Sequence, residues 1–231
     1  MLNLLVQFVV GLLLADTITG FFHWFEDSYL EYCSDVPFLT SIAEDNEMHH
    51  YFPRTIVMYT WWENISTTMP GVIILFTLTF LVLPTEMWKQ YWVLIVTVFV
   101  FSMFSNVFHR FCHMRPCETP LVVQKLQECG VLVSHVHHRV HHEKPNDRYC
   151  VILPVTNLIL DGMNMWRGLE SAVFFATGVR AMPKPTYDDY KPIHTDLHAD
   201  AKRACPRVIE RHEVRKLKRL LQRHHQCKTS A

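Results

Sequence analysis

Nine of the fifteen histidines in this chain fall into four compact groups. They are His23; His49 and His50; His109 and His113; and His137, His138, His141 and His142. His109 and His113 are four residues apart, and H-H-R-V-H-H supplies two more such pairs, His137/His141 and His138/His142. On a helix this spacing stacks two rings on one face. Neutral imidazole ligates iron, zinc and copper well. One structural zinc needs four ligands and tends to recruit cysteine, so nine histidines are too many for it. They suit two metals with bridging and terminal ligation. If the task is oxidation, iron is the natural choice, because zinc has no redox chemistry. No H-E-x-x-H is present, which argues against a metalloprotease.

Polar residues flank these ligands. Asp16, His23 and Asp27 fall along one helical stripe, and Asp16 lies inside an apolar run, where an ionisable group is costly and marks function by default. Asn106 precedes His109 by three residues. The reading takes Asp16 and Asn106 as groups that hold imidazoles in the right tautomer, with Asp27 as a further metal ligand. His135 is even between outer-sphere group and bystander, being one turn off the last pairs. His194, His198, His212, His224 and His225 lie in polar or basic stretches and read as solvated.

The elements that must position these groups are apolar. Leu2 to Phe22 and Trp88 to Phe108 each meet the roughly 20 residues a span requires. Met69 to Leu83 is shorter and is joined to the latter run by Pro84-Thr85-Glu86, as a helical hairpin. Trp88, Tyr91 and Trp92 sit near that turn, where aromatic belts belong. Leu2 to Phe22 lacks a basic leader and a small-x-small cleavage site, so it reads as an uncleaved anchor. The expected fold is all-α and membrane-integral, with about three spans under a histidine-rich metal cap. Cys150 to Leu160 and Ser171 to Met182 are too short to span and are expected either to lie in the interface or to pack on the core. Residues 1–182 form the membrane-embedded unit. Residues 183–231 form a polar, basic tail in which Val208 to Gln226 reads as a helix.

Sidedness follows from charge. The chain holds 22 Lys and Arg, and only Lys89 falls at the far turn. The positive-inside rule then places the other face, with every clustered histidine, in the cytosol. A formal net charge of zero gives no field for nucleic acid. Seven scattered cysteines without a C-x-x-C pair read as reduced thiols.

Several motifs occur in a fixed order: D-T-I-T-G-F-F-H-W-F-E-D from Asp16 to Asp27, His49-His50 followed by Pro53, S-N-V-F-H-R-F-C-H from Ser105 to His113, and H-H-R-V-H-H-E-K-P from His137 to Pro145. Tyr149-Cys150 follows, and then Trp166, Arg167, Leu169 and Glu170. Together they resemble the Kua family of lipid desaturases. The resemblance covers roughly residues 10 to 175. Its best-understood members are plasmanylethanolamine desaturases of the CarF type, and a plant branch desaturates an acyl chain of plastid phosphatidylglycerol. It implies an O2-dependent desaturase with a histidine-bound pair of irons, acting on an ether phospholipid to form the vinyl ether of a plasmalogen. It further implies a cytochrome b5-type electron donor and residence in the endoplasmic reticulum. Alternatives are an acyl-lipid desaturase or hydroxylase with the same centre, or a non-catalytic membrane adaptor with a decayed site. The family commonly has a further helix before the first motif, so the N-terminus is expected on the far side. Tyr59 and Asn146 stand where the family pattern has histidines.

Overall fold

The computed structural model describes residues 3–30 and 37–182. The basic tail, its histidines and its expected helix lie outside the described residues, as do Cys33, Cys205 and Cys227. Among the described residues every regular element is a helix. Two helices are long and apolar enough to cross a membrane, and a bent pair makes a third span if taken as one.

The first helix, α1 (Leu4–Tyr29), runs seven residues beyond the expected end at Phe22. The Asn3 side chain caps its start by accepting from the Leu5 N–H at 2.9 Å. Nothing in the sequence stops it before Leu30, where the backbone becomes extended. The longer helix is what carries His23 and Asp27 on the same rigid rod as the apolar run. With a rise of 1.5 Å per residue, His23 stands about 28 Å along the axis from Leu4. That is close to the roughly 30 Å thickness of a bilayer's hydrocarbon.

The helix α2 (Pro37–Tyr51) bears His49 and His50 in its last turn. The single turn α3 (Thr55–Met58) leads to α4 (Trp61–Val82), which begins eight residues before the expected Met69. Its start is set by a reciprocal cap. The Glu63 N–H donates to Thr60 Oγ1 at 3.2 Å, and the Thr60 N–H donates to Glu63 Oε2 at 2.6 Å. Pro70 is tolerated within the span. The turn anticipated at residues 84–86 is a short helix, α5 (Thr85–Gln90), with Lys89 in its last turn. It sits beside the N-terminal end of α1, where Gln7 Nε2 donates to the Gln90 carbonyl at 3.1 Å. The histidine-bearing ends therefore lie at the opposite end of the spans.

The third apolar run is broken at Phe104 into α6 (Trp92–Met103) and α7 (Ser105–His113), with a bend of 48°. Thr68 Oγ1 donates to the Met103 carbonyl at 2.6 Å, which satisfies an acceptor exposed by the break. Helices α1 and α6 pack closely along their length. A Cβ on Gly11 would stand 2.8 Å from Thr97 Cβ, so glycine lets the two backbones approach.

The remaining helices are short: α8 (Leu121–Glu128), α9 (His135–Glu143), α10 (Pro154–Gly162) and α11 (Met165–Thr177). Trp24, Tyr149, Cys150, Leu160 and Trp166 form a buried cluster that fixes α10 and α11 against the upper part of α1. Cys112, Cys129 and Cys150 are free, whereas Cys117 is disulfide-bonded. The reading of all the cysteines as reduced thiols is corrected at that position.

Candidate metal centre

Four helices deliver their side chains to one buried place. From α1 come His23 and Asp27, from α2 His49 and His50, from α7 His109 and His113, and from α9 His138, His141 and His142. They sort into two adjoining groups. His49, His109, His113, His138 and His142 make the first; His23, Asp27, His50 and His141 make the second. Within each group the potential ligand atoms lie within 4.8 Å of one another. The groups touch: the ring centroids of His23 and His109 are 5.2 Å apart, and those of His50 and His142 are 4.8 Å apart.

The local sequence explains the convergence. The bend at Phe104 turns α7, so that His109 and His113 face inward with Val107 and Phe111 packed elsewhere. Ser134 caps α9 by accepting from the His137 N–H at 3.2 Å. From that start, positions 138, 141 and 142 face inward and Arg139 faces outward, paired with Glu143 at 3.3 Å. Consecutive histidines on α9 thus serve different groups, because adjacent helix positions are about 100° apart.

The second group has its proton positions determined by carbonyl partners. His23 Nδ1 lies 2.9 Å from the Tyr149 carbonyl, and His141 Nδ1 lies 2.7 Å from the Asp147 carbonyl. A carbonyl only accepts, so each Nδ1 carries the proton and each Nε2 presents a lone pair. Those Nε2 atoms face Asp27, at 3.9 Å for His23 and 3.3 Å for His141. His50 Nε2 lies 3.0 Å from Asp27 Oδ1, and Asn46 Nδ2 donates to the same oxygen at 2.9 Å. Its side chain is 3% exposed.

The first group is all imidazole. His109 Nε2 and His142 Nε2 approach His138 Nε2 to 2.8 Å and 3.2 Å. Both ring nitrogens of His49, together with His113 Nε2, are buried without a hydrogen-bond partner. Burial, reinforced by neighbouring imidazoles, holds His49, His138 and His142 well below the ordinary histidine pKa. They are therefore neutral at physiological pH, the form that ligates metal. Metal–imidazole bonds of about 2.1 Å put adjacent ligands about 3 Å apart. Buried, neutral nitrogens at that spacing with no other partner fit a cation, and they fit little else.

Some expected site residues fall elsewhere. His137 belongs to neither group; its Nε2 stands 3.2 Å from Asn157 Nδ2. Asp16 reaches no imidazole. It is fully buried and accepts from the Ile152 and Leu153 N–H groups, both at 2.9 Å. Asn106 donates to Thr67 Oγ1 at 2.8 Å and ties α7 to α4. His135, the first residue of α9, lies outside both groups. Tyr59 and Asn146 are likewise outside both: Tyr59 donates to Asp45 Oδ1 at 3.5 Å, and the exposed Asn146 accepts from Arg167 Nη2 at 3.3 Å.

Asn157 is the polar residue that no spacing pointed to. It is 1% exposed, and its amide accepts from the Cys150 N–H at 2.9 Å and donates to the Cys150 carbonyl at 2.8 Å. With Asp16 it fixes residues 149–153, and hence the Tyr149 carbonyl that orients His23. A backbone acceptor has no sequence signature, so this role is invisible without the fold.

Comparison with known proteins gives the fold and this site their context. The lipid desaturase domain model matches residues 12–184. This chain belongs to the lipid desaturase family. Family membership and the named desaturase relatives make it an oxidoreductase. A probable fatty acid desaturase of Acanthamoeba polyphaga mimivirus is 32% identical, over 78% of this chain and 86% of that protein. A chloroplastic fatty acid desaturase 4-like protein of Arabidopsis thaliana is also 32% identical, over 77% of this chain but 63% of its own length. Plasmanylethanolamine desaturase 1 of Mus musculus is 28% identical, over 79% of this chain and 68% of its own length. No solved structure matches the chain.

Proposed function

We propose that this desaturase holds two iron ions, one in each side-chain group, and uses O2 to introduce a double bond into the chain of a membrane glycerolipid. The observation that carries this reading is the pair of adjoining buried groups, nine side chains in all, among which His49, His138 and His142 are held neutral. The irons would supply the oxidation of an unactivated C–H bond, in which one O2, two electrons, two protons and two lipid hydrogens become two waters and a C=C bond. The protein's part is positional. His23 and His141 keep their Nδ1 protons on carbonyls, and Asp27 places one carboxylate in the second group only. That group therefore carries a formal negative charge which the all-imidazole group lacks. Burial excludes water from both.

The substrate read from the sequence is plasmanylethanolamine, desaturated at the first two carbons of its ether-linked chain. The location of the groups, about 28 Å along α1, favours a bond close to the head group over one deep in the bilayer. A second reading, desaturation of an acyl chain, is favoured by the higher identity to relatives named as fatty acid desaturases. A cytochrome b5-type donor, the endoplasmic reticulum and a cytosolic site complete the proposal. The arginine and lysine distribution supports that side, while the disulfide at Cys117 favours an oxidising one. Thiol alkylation of sealed vesicles, with and without reductant, separates the two.

Metal analysis combined with lipid analysis of expressing cells tests the function. We expect close to two irons per chain, and acid-labile vinyl ethers. New acyl double bonds instead would transfer the assignment to the second reading. His138→Ala, from the first group, should lose iron and product while the protein stays in membranes. His137→Ala should keep its iron. Metal-free wild-type protein, or full product from His138→Ala, would sink the proposal.

A further inference from the structure

Helix α10 is amphipathic the wrong way round for water. Its inward residues are Thr156, Asn157 and Leu160, two of them polar, whereas Val155, Leu158, Ile159 and Met163 face out. Leu158 is 75% exposed and Met163 69%. Helix α11 packs Trp166, Leu169 and Val173 inward, yet it also displays apolar residues, Met165 and Phe175, the latter 85% exposed. A surface helix in water hides its apolar side; one that hides polar residues and displays apolar ones has an apolar exterior medium.

Neither helix crosses that medium. With nine and thirteen residues, they extend about 14 Å and 20 Å, against a hydrocarbon thickness of about 30 Å. Asn164, in the left-handed conformation at φ 55°, separates α10 from α11. The segment leaves and rejoins α1 at two fixed heights. It departs at Cys150, packed so tightly on Gly20 that a Cβ there would stand 2.6 Å from the sulfur. It returns where the Met182 N–H donates to the Ser28 carbonyl at 2.9 Å. Those anchors lie about 24 Å and 36 Å along the axis from Leu4, on either side of the hydrocarbon edge. Helix α1 also shows an apolar exterior at this height: Phe21, Phe22 and Phe25 are exposed, while its buried Trp24 stacks on Trp166 with centroids 6.3 Å apart.

We propose that the outer face of α10 and α11 is a membrane-docking surface, lying in the plane of the bilayer and inserted into the boundary between head groups and hydrocarbon of the leaflet at the histidine end. The occupant is lipid, and the face is a third apolar surface beyond the spans. It does not depend on metal or on substrate identity. It has a consequence for the site, since Asn157 on the inner side of α10 fixes the backbone next to the carbonyl that orients His23.

The test uses the full chain in phosphatidylcholine–phosphatidylglycerol vesicles, with Cys129, Cys205 and Cys227 changed to Ser and the label-treated parent as blank. Nitroxides are attached at Leu158→Cys, Met163→Cys and Phe175→Cys, with Glu143→Cys as the polar control. We expect collisions with O2 to exceed those with a water-soluble nickel chelate at the first three sites, corresponding to a depth of about 5–10 Å, and the reverse at position 143. Greater access to the nickel chelate at 158, 163 and 175 would overturn the proposal. So would spin–spin broadening relieved by dilution with unlabelled chain, which would mean a second copy covers the face. In the unmodified protein, a diazirine-bearing phosphatidylcholine should label residues 154–177; absence of label there, with labelling of α4, would also refute it.

Discussion

Replacing Asp16 tests whether a residue remote from the histidines governs one of the two groups. Asp16 is fully buried, and its two oxygens take one N–H each, from Ile152 and Leu153. Asp16→Ala leaves both donors buried without partners. At about 1–3 kcal/mol for each such group, the cost is about 2–6 kcal/mol. Asp16→Asn is the sharper variant. Its single oxygen can serve one N–H, while its NH2 must face the other, so it should recover little of the loss. At about 2–4 °C per kcal/mol for a chain of this size, the apparent midpoint of thermal unfolding in detergent should fall by at least about 4 °C for Asp16→Ala. The same segment presents the Tyr149 carbonyl to His23. Its displacement should therefore deplete metal from the group of His23, Asp27, His50 and His141 before the five-histidine group. Metal content would fall from about two per chain toward one, and the remaining metal would give a single spectroscopic species. Unchanged melting together with unchanged metal in Asp16→Ala would refute the reasoning. Parallel loss from both groups would show that Asp16 supports the fold alone.

Other expectations follow from the same geometry. Gly20→Ala forces its Cβ to 2.6 Å from Cys150 Sγ and should destabilise by about 1–3 kcal/mol; Cys150→Ala in the same chain should restore most of it, and a double-mutant cycle of melting midpoints reads the coupling. Acid should strip the site. His49, His138 and His142 have folded pKa values well below the ordinary histidine value of 6.5, so their contribution to folding stability is present above about 6.5 and is lost as pH falls toward the folded values, where protons also begin to compete for the folded site. Melting measured from neutral to acidic pH should decline first and metal content only in stronger acid, and metal lost near pH 6.5 from protein that is still folded would contradict this. For the same reason, loading of apoprotein above about pH 6.5 should release few protons per ion, as read by calorimetry in buffers of different ionisation enthalpy.

Most of the grouped side chains and the apolar helices could be read from the sequence by itself, for a physical reason in each case. Four-residue spacing on a helix is local geometry, so His109/His113 and His138/His142 could be paired before any fold was known. Apolar runs report the solvent around a helix directly, which is why α1 and α4 were visible, although their ends at Tyr29 and Trp61 depended on the absence of a stop and on a Thr60–Glu63 cap. What only tertiary structure decided was the partition. His137 and His138 look equivalent in H-H-R-V-H-H, yet the rotation of α9 against α7 puts one beside Asn157 and the other at the centre of five imidazoles. Asp16 and His23 share a stripe on α1, yet Asp16 acts on the backbone at Ile152 and Leu153, far along the chain. Long-range contacts of this kind involve backbone N–H and C=O groups that every residue possesses, so no residue type announces them. The candidate ligand side chains are written in the sequence; their sorting into two groups, and the carbonyls that set the protons of His23 and His141, exist only once α1, α2, α7 and α9 have met.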